Sequence, residues 1–468
     1  MTRSRPGVTI RAVMARRFSL VPIAVTVLSL SLSVGLHPAA TKAATAGTRT
    51  PADPTYIVNL SGDSDGRRWS GTERIDFRNT SSVSLGTIWL RLWSNGVAGC
   101  QPKAIVVTKV VGGTAGSLSR GCTALPVKLS APLAPGATAT LSMRVSITVP
   151  ARSDRFGYFD GISMLGTALP TLAIHDGGGW NLDPYSDLGD SYYSVAGEYR
   201  VTLTVPAALS TPTTGTLITQ TSNPDGTQTR SYSASNVRDF EWAAGALHEI
   251  DARDSAGVLV RVWYMPAYVD NADAGDMLAV AVDSMNTYSA DFGAYPYPEV
   301  DVVLTWLGYG MEYPTIVFTI PRTFYVSHEL AHQWWYGIVG DDQYDSPWLD
   351  ESFASWSETL PYYQYSCDGA YPWPSDGTRI TKSMSYWARH ADDYWVVYEQ
   401  GACALADAAD HLGFDRLIGL LHDYAQAHWF GFSTTADFKS AIEAAAAQSA
   451  PGWDVDAFWR EWRIGPAR

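Results

Sequence analysis

Two periodicities divide this chain. From about residue 51 to residue 252, apolar and polar positions alternate. Leu141, Met143, Val145, Ile147 and Val149 are interleaved with Ser142, Arg144, Ser146 and Thr148, and Tyr199, Val201, Leu203 and Val205 repeat the theme. Ile88, Leu90 and Leu92 alternate in the same way with Trp89, Arg91 and Trp93. A period of two sends every second side chain to one face, which predicts half-buried strands with one wet face, as in antiparallel sheets. Pro150 and Pro206 at strand ends, and the pairs Pro135-Gly136 and Asp225-Gly226, supply the turns.

Past Ala252 the character changes. Residues 257–264 read as one more strand, about 272–292 as a helix, and 300–304 as a strand after the proline-marked turn AYPYPEV. Helical spacing dominates from Tyr325 onward. Segments 349–365, 394–412, 414–428 and 437–447 each have the length of a globular helix. The pattern predicts an N-terminal antiparallel β domain over 47–252 and an α+β, mostly helical domain over 253–468. Between strands, the Gly- and Asp-rich stretch 174–193 does not match the spacing of an EF-hand. It reads as a structural loop, part of it lining the cleft between domains.

The first 46 residues are of another kind. Arg11, Arg16 and Arg17 precede an apolar run over 20–36, and small residues follow at Ala39, Ala40, Ala43, Ala44 and Ala46. That order is a secretory signal, with cleavage expected near Ala44 or Ala46. The pair Arg16 and Arg17 leaves a twin-arginine route open beside general secretion. The run is short for a membrane span. The mature chain is therefore expected outside the cell without membrane insertion, or at the cell surface should the signal stay uncleaved.

Composition then removes some function classes. Of 468 residues, 46% are hydrophobic and the formal net charge is −14. With no basic cluster in the mature region, nucleic acid is a poor partner, and an acidic field favours cationic ligands such as peptides with a free amino terminus. Oligomeric state is not legible. Cys100, Cys122, Cys367 and Cys403 make an even count in an exported chain, which suggests two disulfides. Three pairings are possible on paper; proximity and the domain division favour Cys100 with Cys122, and Cys367 with Cys403. None has the C-x-x-C spacing of a zinc site.

The chemistry concentrates in residues 326–358, VSHELAHQWWYGIVGDDQYDSPWLDESFASWSE. On a helix, His328 and His332 share a face and can present two imidazoles to one ion. Glu329 would then point beside the metal, where a general base is needed. Glu351, separated from His332 by eighteen residues, is the natural third ligand on a second helix. Three protein ligands with the fourth position left to water is the pattern of a catalytic zinc site, and two His with a carboxylate favour one Zn2+ per chain. Trp334 and Trp335 read as core packing.

VSHELAHQWW, the eighteen-residue interval and WLDESFASWSE resemble the aminopeptidase N family of gluzincin zinc peptidases. GYGMEYP resembles the family's G-A-M-E-N motif, FGAYPYPEVDVV the strand segment preceding it, and YEQGACAL its Y-E-K-G-A segment. The likeness covers the mature chain, close in the catalytic half and loose before Asp239. It implies saddle-like β sheets followed by a thermolysin-like catalytic domain. It further implies a short form lacking the C-terminal helical domain of many members, with a more open site for longer peptides.

The resemblance also implies roles. His328, His332 and Glu351 would hold zinc, and Glu329 would take a proton from the activated water and pass it to the leaving amine. Tyr398 would donate to the oxyanion. Glu312 would bind the substrate's α-ammonium, while backbone groups around Gly310 and Met311 align the peptide. Glu358, on the same helical face as Glu351, either orients a ligand histidine or is solvated. Tyr309, Gly310 and Tyr313 replace the family's Gly, Ala and Asn, Asp350 replaces an Asn, and Gln400 a Lys. A second amine anchor from the β domain is not identifiable. The expected function is an exported zinc metallopeptidase cleaving at peptide amino termini. An endopeptidase or oligopeptidase on the same scaffold is the alternative, and an inactive peptide-binding scaffold the reading from another class.

Overall fold

Strong alternation builds a seven-stranded sheet in the N-terminal half. Its order is Thr216–Ser222, Thr227–Val237, Gly197–Pro206, Ala52–Gly62, Arg68–Arg78, Thr138–Thr148 and Ile105–Val111. The computed structural model describes residues 49–365, 367 and 372–465, so the expected signal over 1–46 lies outside the described residues. Leu141, Met143, Val145 and Ile147 all face inward, as do Tyr199, Val201, Leu203 and Val205.

Two expectations are corrected here. Ala52–Gly62 runs parallel to Gly197–Pro206, with Val58 opposite Val201 and Leu60 opposite Leu203. A parallel neighbour needs a long crossover, and the intervening residues supply it by folding all of two smaller sheets and most of a third, besides three strands of the large one. One of these has the order Thr171–Leu172, Leu85–Arg91, Ala124–Leu133, Gly113–Ala115. Its strand Leu85–Arg91 was expected to have one wet face, yet Arg91 and the following Trp93 are buried along with Ile88 and Leu90. The Arg91 guanidinium sits 3.5 Å from the Trp93 ring centroid and donates to the carbonyl of Asp183 at 2.6 Å. Stacking and one carbonyl let this polar alternate be covered by a loop.

The second half opens with a four-stranded sheet, His248–Arg253, Leu259–Tyr264, Glu299–Leu304 and Ile316–Thr319. Its first strand straddles the 252/253 division expected from sequence, because it pairs with Leu259–Tyr264. The later pairs are parallel, and the last two strands are buried at every position. Helix Asn271–Phe292 makes the crossover; Asp270 caps it by accepting from the N–H groups of Ala272 and Asp273.

Helices follow: Thr323–Ala331, Trp348–Ser357, Trp395–Leu412, Phe414–Ala427, Thr435–Ser449 and Val455–Glu461. The second is shorter than the expected 349–365. Pro361 disfavours helix just before it, and the chain turns from Glu358 onward. Trp334 and Trp335 are core residues, their indole N–H groups bonded to the Gly293 carbonyl and the Ser357 hydroxyl. Both expected disulfides are present, Cys100–Cys122 and Cys367–Cys403. Among the described residues no helix is long and apolar enough to cross a membrane.

Candidate active site

The first histidine is set in place through its neighbour. Ser327 donates from its hydroxyl to the Glu358 carbonyl at 2.8 Å and accepts from Ser284 at 3.1 Å. Helix Thr323–Ala331 is thus pinned to helix Asn271–Phe292 on one side and to the end of Trp348–Ser357 on the other. With both contacts made, His328 and His332 emerge one turn apart opposite Glu351, all three buried.

Their donor atoms converge. His328 Nε2 lies 3.1 Å from His332 Nε2 and 3.3 Å from Glu351 Oε2, and His332 Nε2 is 3.4 Å from the same oxygen. The outer ring nitrogens are both engaged: His328 Nδ1 with Glu358 Oε2 at 2.7 Å, His332 Nδ1 with the Trp335 carbonyl at 2.9 Å. A carbonyl only accepts, so His332 Nδ1 carries a proton, and His328 Nδ1 donates its own to the Glu358 carboxylate in the same way. Both Nε2 atoms and a carboxylate oxygen then face one point. That arrangement suits a cation held between them. The three atoms form a nearly equilateral triangle whose corners lie about 1.9 Å from its centre, close to zinc–ligand bond lengths of about 2.0–2.2 Å. The residues present fit the ion, and among the described residues this is the only such group.

Electrostatics carry the same message. Burial would lower the His328 pKa, but Glu351 and Glu358 hold it well above the usual histidine range. Burial would raise Glu351, yet the two imidazoles hold it well below. Glu329 is pushed up to about 8 by burial, only partly offset by His328, with Glu351 and Asp190 raising it further. Glu312 is raised well above its ordinary value by burial, then by Asp190, Glu329 and Glu351 around it. The site is a crowd of carboxylates that calls for positive charge.

These groups line one cavity of about 430 Å³, which takes in the three ligands, Glu329, Glu312, Gly310, Tyr398 and Glu358. Tyr398 donates from Oη to Glu351 Oε1 at 2.8 Å. Glu358 is buried and holds His328, so of its two sequence readings the orienting one matches its position. Gly310 lines the cavity, whereas Met311 does not, and its N–H and C=O bond Phe318 at 2.8 and 2.9 Å. Tyr309 spans to the β half, bonding Asp154 Oδ1 and the Arg155 N–H, each at 3.1 Å.

Sequence reading missed three residues here. Asp190 and Arg155 form a buried ion pair in the cavity wall. Asp190 comes from the stretch 174–193, where the excess of Asp was the available signal. Gln343, in the segment between the two ligand helices, donates to Glu312 and had no signal.

Fold and donor set are those of a zinc metallopeptidase of the H-E-x-x-H…E type. Residues 278–462 match the model of the peptidase family M1 domain. Aminopeptidase N of Streptomyces lividans is 22% identical over 251 residues, covering 44% of this chain and 28% of that protein. Aminopeptidase 2 of Candida albicans is 25% identical over 239 residues, covering 42% and 25%. The chain thus spans about a quarter of the length of these curated relatives. The M1 zinc metallopeptidase from Deinococcus radiodurans superposes with a TM-score of 0.61 at 20% identity, covering 90% of this chain and 94% of that one. A mutant of that Deinococcus enzyme was solved with the substrate Tyr-Ser-Ala. Residues 278–462 of this chain thus resemble a peptidase family M1 domain, and most of its length shares the fold of a solved M1 zinc metallopeptidase.

Proposed function

We propose that the protein is an exported zinc aminopeptidase that removes residues from the amino termini of peptides. One observation carries the reading: Glu312, the candidate amine anchor, shares a single cavity with Glu329 and with the triad His328, His332 and Glu351. The three ligands would hold zinc, which supplies Lewis acidity toward a carbonyl oxygen and a water molecule.

The chain's own groups do the rest. Glu329, whose affinity for a proton is raised by burial, accepts one at its carboxylate and returns it to the leaving amine. The Tyr398 hydroxyl, now spent on Glu351, is a donor for the developing oxyanion. Glu312, with Asp190 across the cavity wall, receives the substrate ammonium, whose charge relieves the crowding of carboxylates. Gly310, not Met311, is the backbone position left to meet the peptide. Within this division of labour the β domain, residues 47–252, contributes Asp190, and the catalytic domain, 253–468, the chemistry. The N-terminal order of basic, apolar and small residues supports export, as do two disulfides.

The test is a panel of aminoacyl chromogenic amides with purified protein, repeated after chelation and after adding zinc back. Activity is expected to vanish and return. A peptide with an acetylated amino terminus is expected to remain intact; its cleavage at a rate comparable to the free peptide would replace this reading with an endopeptidase.

A further inference from the structure

Gln343 lies in the segment joining the two ligand-bearing helices and is fully buried. It does not line the substrate cavity. Its amide nitrogen donates to Asp350 Oδ2 at 2.7 Å and to Glu312 Oε1 at 3.2 Å. Asp350 in turn accepts the N–H of Glu351, a metal ligand, at 2.7 Å. The backbone N–H of Gln343 reaches the Tyr192 carbonyl at 3.3 Å, two residues from Asp190. One residue therefore touches, through its side chain, the amine anchor and the residue beside the third metal ligand, and, through its backbone, the loop that brings the β half to the cavity.

The chemistry of the amide gives this meaning. It has two N–H hydrogens, and each meets one carboxylate. The reverse orientation would set a carbonyl oxygen against both carboxylates, so the amide has one stable pose. Among the described residues, Gln343 makes the one hydrogen bond the Glu312 carboxylate accepts. Around Glu312 stand Asp190, Glu329, Glu351 and Asp350, all of which repel a free carboxylate. A fixed donor on Oε1 restricts how the Glu312 carboxylate can turn beside the metal ligands.

We infer that Gln343 is the positioning residue that fixes Glu312 relative to the metal ligands and so makes the site measure from a free amino terminus. This rests on the aminopeptidase reading above. It acts through Glu312 and touches no substrate itself.

The experiment uses the zinc-loaded full chain and an aminoacyl chromogenic amide. Gln343→Met removes both donors and keeps the bulk. KM is expected to rise about 10- to 100-fold, the worth of one hydrogen bond to a charged group, while kcat changes far less. Zinc content and melting temperature are expected to match the parent. Glu312→Ala is expected to raise KM too, and adding Q343M to it is expected to cause no further rise, which a merely structural role would not produce. Gln343→Asn, an amide withdrawn by one methylene, carries the same expectation should Q343M lose zinc. If E312A raises KM and Q343M does not, or if the two effects multiply, this inference falls and the aminopeptidase reading stands. An unchanged KM in E312A would remove the amine anchor itself, and both with it. Loss of zinc in both Gln343 variants would assign the residue to the fold of the metal site and overturn the inference.

Discussion

A β-carbon built on Gly310 would lie 1.8 Å from Oε1 of Glu329 and 2.2 Å from its carboxylate carbon. The loop that carries the amine anchor thus presses on the carboxylate proposed as general base. In the G-A-M-E-N pattern that this loop resembles, the position is Ala; here close packing leaves no room for a methyl group. Gly310→Ala is expected to displace Glu329 and lower kcat about 100-fold, since a shift near 1 Å costs that much. Retained zinc and an unchanged melting temperature would show that the loss lies in the base. A variant with full kcat would mean that Glu329 has slack the packing does not suggest.

Tyr398 offers a second separation of roles. Its hydroxyl bonds a metal ligand, Glu351. Tyr398→Phe keeps the ring that faces His328 and removes only the donor. The expected result is kcat lowered about 10²- to 10³-fold with zinc affinity close to the parent's. Steady-state kinetics beside a zinc titration check it.

Metal retention depends on a residue outside the ligand set. Glu358 Oε2 holds His328 Nδ1 at 2.7 Å, fixing the ring's orientation and tautomer. Glu358→Gln is expected to weaken zinc binding about 10- to 100-fold. Competition with a chelator of known affinity measures this, and equal affinity would leave Glu358 without an orienting role.

The bond between Cys367 and Cys403 closes a separation of 36 residues. Cys403 sits on helix Trp395–Leu412 with Tyr398. Replacing both cysteines by serine is expected to cost about 2–4 kcal/mol of stability. It is also expected to lower kcat under conditions where the fold persists, because Tyr398 loses a constraint. Denaturant unfolding and kinetics, with and without reductant, separate the two effects.

Stability should also carry a signature of Asp301. Burial pushes its carboxyl up to about 7 even with Arg261 at 2.8 Å. A raised carboxyl pKa means the folded state holds the proton more tightly than the unfolded chain does. Its stabilising contribution is therefore full below about pH 4 and is lost as pH rises toward about 7. Asp301→Asn stays neutral, so its stability relative to the parent is expected to climb across that window. Denaturation midpoints at several pH values read the difference; a constant offset would contradict the buried-carboxyl account.

Much of this site was legible in the chain. His328, His332 and Glu351 were readable because helical geometry converts a spacing of four into a shared face, and Glu329 followed from its place beside the first ligand. Period-two runs such as Leu141 to Val149 marked the sheet for the same kind of reason. Where both faces of an element are covered the signal fails. The Arg91 strand looked half-wet, because whether a loop lies over its second face is not a local property.

The linear chain therefore determined the donor atoms, their helical spacing and the strand and helix periods, since each depends on residues within a turn or two of one another. Tertiary structure alone decided that Ala52–Gly62 lies parallel to Gly197–Pro206 and that Met311 spends its backbone on Phe318. It also placed Asp190 in the wall facing Glu312 and set Gln343 between that anchor and Asp350. Those last contacts join segments with no shared period, and a hydrogen bond across such a gap leaves no mark on either stretch of sequence until the chain has closed around it.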